Sequence, residues 1–348
     1  MCANVGLLFL SSRKRTALHE AVDVEDVVWL RKLLEEGSNT RARDETGQTP
    51  LHAALMRRKE RIADILVDAD CITDIEDEDG YTPLQIAAEK GCLRIIEKLI
   101  AGGADTARKD RQGRTLLHIA LENSEEAAAE MLVGAIPDLN VPDRQGRTPL
   151  HWAGRNGHVQ VARQLLVRGA NPHMDTYSDL YPLQSALYVG QVPVAEVIVA
   201  HYALNDLEEK LREIHLSRPE KMWEKLLPVC KMEICRMKDT QVKGSLLSFC
   251  DLALRPASRL SQRLSVEAIQ WLWDNHCKIR EFPIYGAYLC SKLKVVSDRK
   301  SHENHILKSF SLLSPPLLPV CTEVILPFLP DADLQNLVQA CKFLRSPP

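Results

Sequence analysis

The sequence predicts an all-α protein: a solenoid of about six repeats of 33 residues, followed by a small helical C-terminal domain. Three observations lead there. A four-residue signature recurs at constant spacing, a turn motif precedes it in fixed register, and beyond residue 205 the period stops while amphipathic helical runs continue.

The signature reads Thr16-Ala-Leu-His19, Thr49-Pro-Leu-His52, Thr82-Pro-Leu-Gln85, Thr115-Leu-Leu-His118, Thr148-Pro-Leu-His151 and Tyr181-Pro-Leu-Gln184. A unit of this length holding a turn and two helices cannot bury its own apolar face, so it stacks on copies of itself. Within each copy the turn comes first. Asp44, Asp77, Asp110 and Asp143 stand five residues before the threonine, and Gly47, Gly80, Gly113 and Gly146 two before it. Glycine takes the positive φ of a tight turn, and aspartate hydrogen-bonds nearby backbone N–H groups. The threonine caps the first helix, and proline beside it occupies the first helical position, where a missing N–H costs nothing. Behind it, apolar residues such as Ala87-Ala88, Ile95-Ile96 and Leu99-Ile100 recur at helical spacing and read as core. Gly102-Gly103, Gly134 and Gly169 are expected to close the second helices in the left-handed cap position.

The repeat resembles the ankyrin repeat. The first and sixth copies depart from it: Ala17 replaces proline in the first, while Thr176, Asp179 and Tyr181 replace the turn aspartate, the glycine and the cap in the sixth. Both read as terminal copies, the sixth packing against the C-terminal domain.

Composition narrows the function classes. At 348 residues, with 45% apolar and 26% charged residues, the chain is globular and large enough for two domains. A net charge of −3 and a pI near 6.4 lack the basic footprint of nucleic-acid binding. Ten scattered cysteines form no disulfide framework, and no Asn-x-Ser/Thr acceptor occurs, so reduced thiols in a cytosolic or nuclear setting are expected. Residues Val5 to Leu10 are apolar but lack a preceding basic residue and a small-residue cleavage site, which argues against a signal peptide. The stretch from Leu312 to Pro330 contains five prolines in its interior and terminus besides Glu323, which argues against a membrane span. No membrane, nucleic-acid or cofactor partner is expected.

After about Asn205 a charged helical segment, Asp206 to Ile214, leads to amphipathic runs at Met222 to Leu227, Cys230 to Met237, Leu246 to Leu254 and Val266 to Trp273. Leu252, Leu260, Leu264, Ile269 and Leu272 fall near helical spacing as a compact core. The string Cys230 to Asp239, then Ser248 to Leu252, Phe282-Pro-Ile-Tyr285, Leu318-Pro319 and Asp333-Leu334 resembles the PRANC domain, which comes after ankyrin repeats in poxviral proteins and in similar chains of parasitoid wasps and bacterial endosymbionts. The expected organisation is a 1–13 extension, repeats over 14–205, a helical linker over 206–227, and a PRANC-like domain over 228–348.

The end of that domain, 316–345, is similar to an F-box. Leu318, Pro319, Val324, Ile325, Phe328, Leu329, Asp333, Leu334 and Leu337 are the residues that would meet a Skp-family adaptor of a cullin–RING ubiquitin ligase. Val324, Ile325, Phe328 and Leu329 would share one helical face, although Pro327 kinks any helix through them. Pro316-Leu317, Cys321 and Ile325 also fit the BC-box pattern that engages Elongin B/C, and a purely structural C-terminal domain stays open as a third reading. The resemblances imply an adaptor, monomeric outside its complexes, or a scaffold that sequesters a signalling protein such as an innate-immune regulator.

In ankyrin stacks the turn tips and inner helices line a concave target-binding surface. By position, Glu78, Asp79 and Tyr81 are tips of the third copy, Arg111 and Arg114 of the fourth, and Arg144 and Arg147 of the fifth. Inner helices add Met56, Arg57, Trp152 and Arg155. Tyr81 and Trp152 are expected to be exposed anchors, since aromatic residues and arginine dominate binding hot spots. The acidic third-copy tips would face a basic patch of the target, and the four tip arginines an acidic one.

Catalysis is not expected. His19, His52, His118 and His151 occupy one slot in successive copies, too far apart to share a metal, and read as structural hydrogen-bonders. Cys230, Cys235, His302 and His305 lack a matched metal framework, and Asp77, Glu78 and Asp79 sit on a turn where nothing would raise a carboxylate for acid work. No phosphate-cradling glycine loop is present.

Overall fold

A computed structural model describes residues 15–69, 74–205, 221–242, 245, 247–275, 279, 281–313 and 338. Every regular element among them is a helix, seventeen in all, with one antiparallel bridge between Gln241 and Ser248. The described residues pack as two compact units: one runs to Leu132 and includes Pro142–Arg144, the other holds Val133–Val141 and the chain from Gln145 onward.

In the first unit the repeats form α1 (Ala17–Val24), α2 (Val27–Glu35), α3 (Pro50–Met56), α4 (Glu60–Asp68), α5 (Pro83–Lys90), α6 (Leu93–Ala101) and α7 (Leu116–Glu122), with α8 (Glu126–Ala135) beginning there. Helix α3 packs on α4 and α5, and α5 on α6 and α7. Short first helices are buried almost throughout: Leu51, Ala53, Ala54 and Leu55 of α3 have at most 1% of their surface exposed. Second helices bury one stripe, Ile62, Ala63 and Leu66 in α4 and Ile95, Ile96 and Leu99 in α6. Each fully buried leucine or isoleucine contributes about 1.5–3 kcal/mol.

The turns form as the sequence predicts. Asp44 Oδ1 accepts from the N–H groups of Thr46 and Gln48 at 2.9 and 3.0 Å, and Asp77 Oδ1 from those of Asp79 and Tyr81 at 3.0 and 2.9 Å. Successive turns are laced by backbone bonds, Glu78 N–H to Thr46 O at 3.1 Å in this unit and Tyr177 N–H to Gln145 O at 3.1 Å in the other. Gly47 has φ +71°, and a Cβ there would come within 2.9 Å of Glu78 N, so glycine is required twice over.

The second unit contains α9 (Pro149–Asn156), α10 (Val159–Val167), α11 (Pro182–Val189) and α12 (Val192–Leu204), then α13 (Lys221–Asp239), α14 (Phe249–Leu254), α15 (Ala257–Arg263), α16 (Val266–Asp274) and α17 (Gly286–Leu313). Helix α12 buries Val194, Ala195, Ile198, Val199, Ala200, Tyr202, Ala203 and Leu204 and exposes residues only in its first half, at Val192, Pro193 and Glu196, because α10 and α11 cover one flank and α13 another. The sixth copy thus packs against the C-terminal helices, as its departures imply. Tyr285 Oη donates to Ala200 O at 3.0 Å, tying the segment before α17 to α12. Leu252, Leu260, Leu264, Ile269 and Leu272 are in the core with Phe249, Phe282, Leu289 and Val296.

Three expectations are corrected. Gly102 has φ −76°, and the left-handed residue is Gly103 at +87°. Gly134 lies inside α8, which runs on to Ala135 and ends before Pro137, whose ring disfavours helix at the residue preceding it. The runs at 222–227 and 230–237 are one helix, α13, through Pro228. Burial of Leu227, Cys230 and Met237 on a continuous face offsets the one backbone bond that proline removes. Helix α17 was not anticipated: its buried face mixes Leu289, Leu293 and Val296 with Lys292, Arg299 and Glu303, which blurs the apolar period.

Candidate protein-binding face

The helix caps fix where the face side chains point. Thr49 N–H donates to His52 Nδ1 at 3.2 Å, and His52 Nε2 bonds Tyr81 O, in the next repeat, at 3.1 Å. His19 bonds Gln48 O at 3.0 Å and His151 bonds Leu180 O at 2.9 Å in the same way. Nδ1 accepts and Nε2–H donates, so the rings serve as neutral structural struts, the role their spacing predicts. Burial lowers the pKa of His19 and His52, outweighing the opposing backbone hydrogen bonds. Among the described residues no group of three or more His, Cys, Asp or Glu side chains stands together as a metal site would.

In the first unit the arginines are largely committed within the chain. Arg114 was expected on an exposed tip, but only 8% of it is accessible. Its Nε donates to Asp110 Oδ2 at 2.7 Å, Nη2 to Tyr81 Oη at 2.9 Å, and Nη1 to Glu122. Burial alone would lower its pKa; the hydrogen bond and charge of Asp110, with Glu122, raise it instead. A tip arginine lies down here because acidic partners stand within reach on its own repeat. Arg57 pairs with Asp23 at 3.1 Å, and Arg111 donates to the Glu78 carbonyl oxygen. Glu78, Asp79, Arg111 and Arg144 are exposed, Met56 is 44% exposed, and Tyr81 is half-buried.

In the second unit Trp152 was expected to be exposed but is 7% accessible. The Arg147 guanidinium covers its ring at 4.1 Å from the centroid, while Arg147 Nη2 donates to Gln145 Oε1 at 2.9 Å. Arg155, on the same helix three residues on, is exposed. Together with Leu180, Ser185, Tyr188 and Val189 they line a cavity of about 290 Å³. The structure therefore brings together Arg147, Trp152 and Arg155 of the expected site and adds residues from the sixth copy, Leu180, Ser185 and Tyr188 among them. Their signal was positional: Leu180, Ser185 and Tyr188 stand one before, four after and seven after the cap, the places held in the fifth copy by Arg147, Trp152 and Arg155. The sixth copy's worn signature hid them.

Leu318, Pro319, Val324, Ile325, Phe328, Leu329, Asp333, Leu334 and Leu337 lie outside the described residues, as does most of the 206–227 linker; Val338, described, is helical and buried. No helix among the described residues is long and apolar enough to cross a membrane.

Stacked helix pairs presenting a varied side-chain face define a protein-interaction scaffold, a class that is generally non-enzymatic. The family model of ankyrin repeats in three copies matches residues 18–110, 70–143, 95–176 and 132–209, more than half of the chain, and the chain belongs to the ankyrin-repeat family. Solved structures similar to it include the ankyrin repeat protein EF0377 (22% identity, 53% of this chain and 96% of that one, TM-score 0.49). Two more are an ankyrin repeat domain, ABAYE2397, from Acinetobacter baumannii AYE (28%, 53% and 96%, 0.49) and that of Bcl-3 (26%, 54% and 86%, 0.48). No curated protein matches the chain.

Proposed function

We propose that this chain is an adaptor that holds a target protein on its repeats and presents it to a ubiquitin ligase. One observation carries the capture step. The fold's own needs are met by the cap and turn bonds of the repeats, and the side chains of Arg155, Tyr188 and Val189, which make none of them, stand exposed around a cavity. Exposed arginine and aromatic side chains beside a pocket are the composition of binding hot spots.

Coupling to the ligase rests on the resemblance of 316–345 to an F-box, with Leu318, Pro319, Ile325 and Leu334 as its central contacts to a Skp-family protein. The chain itself would do no chemistry: holding target and ligase together raises their effective concentration. Co-purification of Skp-family proteins and of Elongin C with the full chain tests this. The expected result is a Skp-family protein, lost on truncation after Pro315 and in Ile325→Asp/Leu334→Asp. Elongin C in its place would favour the BC-box reading, and a target retained with neither adaptor would leave a sequestering scaffold.

A further inference from the structure

The cavity between α9 and α11 differs in charge from the corresponding positions of the fourth copy. There, the residue before the cap is Arg114 and the residue seven after it is Glu122, and the two are bonded to each other. In the fifth copy those positions hold Arg147 and Arg155. Arg147 is oriented by Gln145 Oε1 and by the Trp152 ring, and Arg155 makes no ion pair among the described residues. The described residues lining the cavity include these two guanidinium groups and no carboxylate. Its apolar side is supplied by Trp152, Leu180 and Val189, with Tyr188 at the rim 89% exposed and Val189 49%. Ser185 leaves room where copies three to five hold the larger Ile86, Ile119 and Trp152.

We propose that this cavity takes one large apolar side chain of an acidic protein segment, with a neighbouring carboxylate of that segment paired to the exposed Arg155. The proposal rests on the protein-binding reading and names the class of partner. An apolar anchor in a pocket with a cationic rim gains affinity from burial and register from the flanking ion pair.

The test is selection of a random peptide library on immobilised full-length chain, then affinity measurements on the enriched peptides. Enrichment of peptides with one aromatic or large aliphatic residue beside Asp or Glu is expected. Arg155→Glu, which changes an exposed side chain, and Ser185→Trp, which fills the cavity, should each weaken binding by about tenfold or more, equal to about 1.4 kcal/mol. Raising the salt should weaken the wild-type complex. Circular dichroism melts check that both variants fold; if Ser185→Trp does not, Arg155→Glu decides alone. Enriched peptides that are basic or neutral, or that bind both variants unchanged, would overturn the proposal while leaving protein binding intact. No enrichment at all would count against both.

Discussion

The guanidinium of Arg147 lies 4.1 Å from the centre of the Trp152 ring, and the ring beneath it is 7% exposed. The pair thus has two unequal halves, a buried aromatic that packs the fifth repeat and a cation that covers it. Trp152→Ala should destabilise the second unit by about 3 kcal/mol or more, as loss of a buried aromatic does. Arg147→Ala should cost about 0.5–1 kcal/mol, the worth of a cation–π contact near the surface. Urea denaturation monitored by circular dichroism separates the two; equal losses would mean the arginine is part of the core.

Gly146 and Gly169 both hold positive φ, +80° and +97°. A Cβ on Gly146 would approach Tyr177 N to 2.8 Å and Thr176 Cα to 3.1 Å, whereas one on Gly169 meets nothing within 4 Å. Gly169→Ala should therefore cost only the backbone term, about 1–2 kcal/mol, and Gly146→Ala more, because the turn of the sixth copy must move. Thermal melts of the two variants should rank in that order.

Acid should loosen the repeats. His19 and His52 are held neutral in the fold, with pKa lowered by burial, while the unfolded chain takes up protons below about pH 6.5. The unfolded state then binds more protons, so stability falls as pH drops from about 7 towards 5, until the folded pKa values are reached. In the third repeat Gln85 Oε1 accepts from Thr82 N–H at 2.9 Å, the bond that histidine makes elsewhere. His52→Gln should keep the cap and flatten the pH dependence of the melting temperature relative to wild type.

The sequence made the repeats legible because one geometry is imposed in copy after copy by bonds with short reach: Asp77 to Asp79 and Thr49 to His52. What escaped it depended on how side chains lie down on one another once the helices are formed. Arg114 looked like a free tip until Asp110 and Glu122 closed on it, and Trp152 looked exposed until Arg147 lay over it. Helix α17 was hidden because Lys292, Arg299 and Glu303 are buried by pairing rather than by being apolar. Arg299 Nε donates to Glu303 Oε1 at 2.9 Å, and Ser261 Oγ to the same carboxylate oxygen at 2.9 Å. Leu180 and Tyr188 were missed for another reason, since Tyr181 broke the signature that would have placed them in register.

Glu233 is 5% exposed, and its carboxylate accepts from the N–H groups of Ile284 and Tyr285 at 3.1 to 3.2 Å. Its removal leaves two backbone donors without that acceptor. Glu233→Ala should cost about 2–3 kcal/mol, and Glu233→Gln, which keeps one acceptor oxygen, less. Hydrogen exchange at the Ile284 and Tyr285 amides should quicken in the alanine variant and remain slower in the glutamine one.

Repeat arrays ordinarily end in a copy whose outer helix is polar, so that a solvent-tolerant cap can be placed after any number of units. The second half of helix α12 has no such side: with Ile198 and Tyr202 enclosed and Ala200 bonded to Tyr285, its cover is supplied by helices of a different kind. Insertion or exchange of whole copies is therefore open in the interior of the array and closed at its C-terminal end. New targets would be acquired by altering side chains around α9 and α11, because the last copy cannot be traded without its helical lid.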